Sequence, residues 1–385
     1  MGKQVKTPRF YVDIPTFLHA TGDSHWDSGD KARALMYMNP SNPFIYTGES
    51  NWKFKIGDFD NKPKTSFPIN FCALLNHNFA TDVPFKIKGV HSTGIGDQQW
   101  PNLVSTGGGS PRYKNNILNG FASSNHLDPV YNGVSIFETR ELNGYWNFFG
   151  LEWQDTPSTL DYSQLGSLVV GKYWDATNSP DLNLTMSRRF DGIKKQKTIG
   201  GKTLANIYYD GPTEWTMNSP DGTYKYPPFE LDSPDSVPLL EYDSNNNPTN
   251  EDELKVEFNK RAKSGLGRKG LRSWNLTFSY ISEDNMWMEN EVSSTLESDN
   301  SINSNPNPML YDNSFNFVWN CTLGGALPFI FQPNADQYDA SGNLTQAGNN
   351  NPDQFSICTF RQNTLSVKQV AYNTYTLSIT IDEVA

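Results

Sequence analysis

The chain has 385 residues, a length that suggests two or three domains at roughly 150 residues each. Aromatic residues make up 13% of it, and Gly and Pro number only 29 and 24, a balance that excludes a chain disordered along its whole length. With 31 basic against 42 acidic residues the net charge is −11, which argues against a duplex nucleic-acid binder with its concentrated basic face and leaves room for a local basic patch. No apolar run approaches the roughly 18 residues that would span a bilayer. The start, Met1 to Thr7, lacks a signal-type apolar run and is read as the chain's own beginning, and Lys6 stands where a myristoylation signal at Gly2 needs Ser or Thr. Cys72, Cys321 and Cys358 are too few and too far apart for a disulfide scaffold, so they are expected as buried free thiols in a reducing cytosol.

Along the chain, period-two alternation of β-branched and aromatic residues dominates. Residues 145–153 alternate with Tyr145, Phe149, Leu151 and Trp153 on one side, and residues 165–174 hold Leu168, Val169 and Val170 between Gly166 and Gly171. Residues 227–253 carry Asp232, Asp235, Glu241, Asp243, Glu251, Asp252 and Glu253 and are too polar to pack, so an arm that orders against a partner is expected there. A helix is predicted over 250–263 with Leu254, Phe258 and Ala262 on one face. The strand 274–280 follows, with Trp274, Leu276, Phe278 and Tyr280 on its dry face and Asn275, Thr277 and Ser279 on the other. After a Ser- and Asn-rich loop over 293–308, a short helix over 314–321 stops at Gly324-Gly325, read as its C-terminal cap. The last strand, 375–382, sets Tyr375, Leu377, Ile379 and Ile381 against Thr376, Ser378, Thr380 and Asp382. The fold class is therefore all-β with one or two accessory helices. A weak echo, Asn183-Leu184-Thr185-Met186-Ser187 against Asn275-Leu276-Thr277-Phe278-Ser279, is either chance or a pair of strands in one sheet.

Motifs for enzymatic chemistry fail in turn. Gly265-Leu266-Gly267-Arg268-Lys269-Gly270 fits the dinucleotide-binding spacing but precedes a strand instead of opening a helix. Thr106 to Ser110 lacks the Lys-Ser/Thr pair of a phosphate loop, and no nucleophile elbow occurs. The five histidines, His19, His25, His77, His91 and His126, show no zinc-ligand spacing. Asp336, Asp339 and Asn343 around Gly342 do not have the spacing of a calcium loop and read as a solvated turn. Trp26, Trp52, Trp100 and Trp287 sit beside polar turns where they can stack on sugar rings, although packing is the commoner use of large aromatics. No catalytic, cofactor-binding or metal-binding residue is assigned, and no cofactor is expected.

Two resemblances add to this reading. The stretch 70–79, Asn70-Phe71-Cys72-Ala73-Leu74-Leu75-Asn76-His77-Asn78-Phe79, followed by Pro84-Phe85-Lys86-Ile87-Lys88-Gly89-Val90, resembles discoidin-like, galactose-binding-type β-sandwiches, in which an apolar strand runs through a His-Asn turn into a second strand. Residues 145–155 and 165–171 resemble that fold's closing hairpin. His77 and Asn78 are then structural, satisfying groups at the turn that the ladder leaves unpaired. Further on, Gly171-Lys172-Tyr173-Trp174, Arg189-Phe190-Asp191-Gly192, Gly200-Gly201-Lys202, Gly270 to Phe278, Leu327 to Pro333 and Asn351 to Cys358 are similar to minor tail or baseplate structural proteins of tailed bacteriophages.

The resemblance implies a discoidin-like β-sandwich over 1–170 and a second, mostly β tail-assembly domain over 171–385 that carries the polar arm near 227–253. It implies a non-enzymatic virion component of the tail, made in the host cytoplasm. Its partners would be copies of itself in a ring, with a hexamer as the expectation, and other tail proteins, with no membrane and no specific nucleic acid. The alternative is a host-surface carbohydrate-binding adhesin that uses the sandwich as a lectin. Fold alone does not choose between the two.

Overall fold

A computed structural model describes residues 5–21, 24–26, 35–40, 44–46, 51–56, 68–77, 85–90, 113–118, 120–122, 127–129, 133–142, 148–153, 163–189, 193–207, 270–288, 308–338, 344–350 and 354–384. In chain order the elements are β1 (Arg9–Asp13), α1 (Ile14–Ala20), β2 (Ser24–Trp26), β3 (Phe44–Tyr46), β4 (Asn51–Ile56), β5 (Ile69–His77), β6 (Phe85–Val90), β7 (Tyr113–Leu118), β8 (Gly120–Ala122), β9 (Leu127–Pro129), β10 (Gly133–Leu142), β11 (Phe148–Trp153), β12 (Ser163–Leu165), β13 (Ser167–Asp175), β14 (Thr185–Arg189), β15 (Ile193–Lys197), β16 (Thr203–Ile207) and β17 (Leu271–Ser282). They continue with α2 (Glu283–Met286), α3 (Pro308–Tyr311), α4 (Phe315–Cys321), β18 (Phe329–Gln332), β19 (Gln337–Tyr338), β20 (Leu344–Gln346), β21 (Ser356–Phe360), β22 (Val367–Ala371) and β23 (Thr374–Glu383). The protein is mostly β, as expected.

One antiparallel sheet of eleven strands dominates, in the order β14-β17-β23-β21-β18-β1-β13-β5-β10-β7 with β22 paired to β23. A six-stranded sheet runs β2-β4-β11-β6-β9-β8. The division expected between residues 170 and 171 falls inside β13, and the large sheet runs through it because β1 pairs with β13 on one side and β18 on the other. β5 pairs with β10 and β13, whereas β6 and β11 pair with each other in the second sheet. β11 and β13, the described strands of the stretches 145–155 and 165–171, lie in different sheets and close no hairpin with each other. The helix expected over 250–263 and the arm over 227–253 lie outside the described residues.

The central strands are apolar on both faces because both faces are covered. Phe10, Val12, Cys72, Leu74, Leu168, Val170, Trp174, Phe329 and Phe331 belong to one buried cluster, and their odd-even partners Tyr11, Phe71, Ala73, Leu75, Val169 and Ile330 belong to a second. The first is capped by Phe17 and Leu18 of α1 and by Phe315, Phe317 and Val318 of α4. Phe10 is its hub, with ring centroids at 5.3 to 6.0 Å from Phe331, Phe329, Trp174 and Phe315. Phe85 of β6 joins the same cluster and brings the second sheet onto it.

Three local expectations change. Tyr280 is not on the dry face: a register shift between Phe278 and Ile281 opposite β23 turns it out to 75% exposure with φ +62°, and Ile281 takes the inward place. The cap of α4 is not a glycine, since Leu323 adopts φ +51° while its N–H bonds Asn320 O and that of Gly324 bonds Trp319 O, a Schellman closure. Helix α1 was not expected, although Asp13 at its N-cap and Pro15 in its first turn are start signals. The echo resolves as neighbouring strands, with Thr185 of β14 opposite Asn275 of β17.

Candidate interaction surface

Two sets of buried polar groups are committed to one another. Arg9 on β1 donates to both oxygens of Asp175 on β13 at 2.5 and 2.8 Å, and its guanidinium lies 3.9 Å from the Tyr173 ring centroid. Tyr173 donates its hydroxyl to Glu138, and Tyr11 donates to Gln332 Oε1 at 2.7 Å. Burial raises both tyrosine hydroxyls above their ordinary range, so they stay protonated and serve as donors. Arg272 on β17 holds both oxygens of Glu383 on β23 at 2.8 and 3.0 Å and also donates to Phe355 O and to Ser356 on β21. The first network ties four strands together, β1, β13, β10 and β18, and the second ties three, β17, β23 and β21, and their geometry is that of sheet fasteners.

The residues singled out by sequence have structural surroundings. His77 is fully buried with Nε2 3.1 Å from Ser135 Oγ on the neighbouring strand β10, while Asn78 lies outside the described residues. The amide that serves this strand end is Asn76, at φ +51°, whose Nδ2 donates to Pro40 O at 2.5 Å; only its place beside His77 hinted at it. His19 in the last turn of α1 has Nδ1 3.0 Å from Tyr37 Oη. Asp336 accepts from Gly348 N at 2.6 Å and from Asn350 Nδ2 at 2.9 Å, so its carboxylate serves a turn, while Asp339 and Asn343 lie outside the described residues. So do the glycine-rich stretches over 106–110 and 265–269, as well as His91, His126 and Trp100. Trp287 packs on Tyr375 at 6.1 Å between centroids. The three thiols are buried and free as expected, and burial pushes that of Cys72 up to about 12, far from a reactive thiolate. Among the described residues no group of three His, Cys, Asp or Glu is placed to hold a metal, and no helix is long and apolar enough to cross a membrane.

What stands open to solvent is one end of the large sheet. β14 closes it, and all five of its residues are exposed, including Met186, Arg188 and Arg189. Beneath β14 an open pocket of about 150 Å³ is bounded by Met186 and Arg188 and by Arg272 and Trp274 of β17, and the buried Trp274 Nε1–H has no hydrogen-bond partner. Beyond it β15 and β16 pair, among the described strands, only with each other, closed by Thr198 N to Lys202 O at 2.8 Å and Gly201 N to Thr198 O at 2.9 Å, with Gly201 at φ +80°. Lys195, Lys197, Ile199, Lys202 and Leu204 of this hairpin are exposed. This is the local basic patch that the overall charge left room for. At the other end of β17, the exposed Tyr280 and Tyr372 flank the start of α2, where Glu283 N donates to Asn373 O at 3.1 Å.

The sequence matches no family model, no curated protein and no solved structure.

Proposed function

We propose that this chain is a non-enzymatic structural component of a bacteriophage tail, a distal-tail or baseplate subunit that forms a ring with copies of itself and contacts other tail proteins. The observation that carries the reading is the exposed sheet end, in which edge strand β14 leads to a hairpin that pairs with no other described strand. Edge strands and isolated hairpins are templates for association, and an assembly protein keeps them for a neighbour. The ion pairs Arg9–Asp175 and Arg272–Glu383 support it too, since each fastens neighbouring strands. The test is a reconstruction of an intact particle: the chain is expected in contact with its own copies around the tail axis, and its absence from the particle overturns the proposal.

A second reading, a host-surface carbohydrate-binding adhesin, is favoured by one observation. The exposed Tyr280 and Tyr372 lie with Asn373, Asn285 and Asn178, a set of ring faces and amides of the kind that hold sugars. They belong to the second half of the chain and not to the segment that resembles a lectin sandwich. Saturable binding of host polysaccharide that is lost in Tyr372→Ala, by a chain at the particle's periphery without ring contacts, decides for this reading.

A further inference from the structure

The geometry points to a head-to-tail contact in which the basic hairpin β15–β16 of one copy docks on the aromatic end of the β17–β23 pair of another copy. The inference rests on the assembly reading above and names the interface.

The hairpin has the properties of a docking arm. A two-stranded hairpin is marginally stable in water by itself. This one leaves Ile199 at 109% and Leu204 at 57% exposure, and a Cβ built on Gly200 or Gly201 meets nothing within 4 Å. Its charge selects the partner. Residues 185–207, which span β14 and the hairpin it leads into, contain Arg188, Arg189, Lys194, Lys195, Lys197 and Lys202 against Asp191 alone, a net +5 in a chain of −11, so the rest of each copy carries −16. The acidic body of a second copy is the complementary surface.

On that body the exposed aromatic end is matched in chemistry. Tyr280 and Tyr372 are 75% and 89% exposed, and Glu283 and Asp284 beside them are exposed as well. Lysine ammonium groups over tyrosine rings and beside carboxylates, with Ile199 and Leu204 against the same rings, satisfy both surfaces at once. The two surfaces belong to different copies. β14 meets β17 at Leu271 to Asn275, and the hairpin leaves from the Leu271 end, whereas the aromatic end begins at Tyr280. Along a strand rising about 3.3 Å per residue these ends are roughly 30 Å apart, and both are exposed in one copy. An arm-to-body contact between copies is heterologous, and its repetition gives a ring or a filament. An arm-to-arm contact would oppose two groups of like charge. A nucleic acid is disfavoured as occupant, since residues 193–207 include no aromatic to stack on a base and the remaining −16 repels a polyanion.

Complementary charge reversal in the full chain tests this, with sedimentation as the readout and circular dichroism to verify folding. One variant is K195E/K197E/K202E and the other E283K/D284K, all exposed positions. The native chain is expected to self-associate, more weakly as salt rises, and each variant alone to associate at least about tenfold more weakly. An equimolar mixture of the two variants should regain association, because each arm again meets a patch of opposite sign. Three results overturn the inference: a monomeric native chain, undiminished association of either variant, or a mixture as weak as its parts. Undiminished association leaves the assembly reading standing and moves the interface elsewhere. Capture of a duplex or single-stranded oligonucleotide by the arm, without self-association, overturns it in favour of a nucleic-acid arm.

Discussion

At the scale of single residues, Asp13 is a buried carboxyl that is only partly compensated. It ends β1 and starts α1, is 4% exposed, accepts from Thr16 through Oδ2, and leaves Oδ1 without a partner. Burial raises its carboxyl from 3.8 to about 7, partly opposed by the bonds from Thr16. Below pH about 4 the folded and unfolded chains both hold the proton. Between about 4 and 7 the unfolded chain loses it while the folded chain keeps it, so this site costs stability as pH rises through that window and the cost levels off above it. At about 1.4 kcal/mol per unit the loss is at most about 4 kcal/mol. Asp13→Asn keeps an acceptor for Thr16 and carries no charge. Urea unfolding at pH 5 and pH 8 should show a smaller drop in midpoint for this variant than for the native chain, and equal drops would mean that Asp13 titrates normally.

At the scale of elements, β17 shows what period-two reading captures and where it stops. Trp274, Leu276 and Phe278 are buried as the alternation requires, and Thr277 faces out with Oγ1 3.1 Å from Ser378 Oγ. Phe278→Ala should therefore cost about 3 to 5 kcal/mol, with Thr277→Ala below about 1. The bulge adds a contrast: Tyr280→Ala should also be nearly neutral, while Ile281→Ala costs about 2 to 5 kcal/mol. Chemical denaturation of the four variants checks it, and a costly Tyr280→Ala would restore the unbroken alternation. The same limits apply elsewhere. Strand β23 was legible because Leu377, Ile379 and Ile381 alternate with polar residues, and the helix over 315–321 because Phe315, Val318 and Cys321 recur at helical spacing. Helix α1 was hidden since Phe17 and Leu18 continue the aromatic run of β1, so its capping signals were outweighed. A left-handed Leu323 in place of a glycine and the outward turn of Tyr280 are set by tertiary packing and leave no local trace. The exposed arm was hidden for another reason: Lys195, Lys197 and Lys202 are ordinary surface residues in sequence, and only the pairing of β15 with β16 alone gathers them into a patch.

At the scale of the whole molecule, the family resemblance implied two domains in series, yet the large sheet is built from both halves. β1 is the seam: Phe10 lies opposite Trp174 on one side and Phe331 on the other, and Lys6 N donates to Pro333 O at 3.1 Å just before it. Remove β1, and β13 and β18 lose their shared partner while Phe10 leaves the middle of a ring cluster that draws on residues from 10 to 360. A core with a hub of that kind disorders as one unit, because no part of the cluster is enclosed without the rest. Residues 1–170 and 171–385 expressed separately should therefore each lack the near-ultraviolet signature of packed aromatics, and the intact chain should unfold in one calorimetric transition. The second half alone would have to leave Phe331 and Phe360 without Phe10 against them. Separate halves that each unfold cooperatively, or two transitions in the intact chain, would show that the seam joins domains that are stable without it.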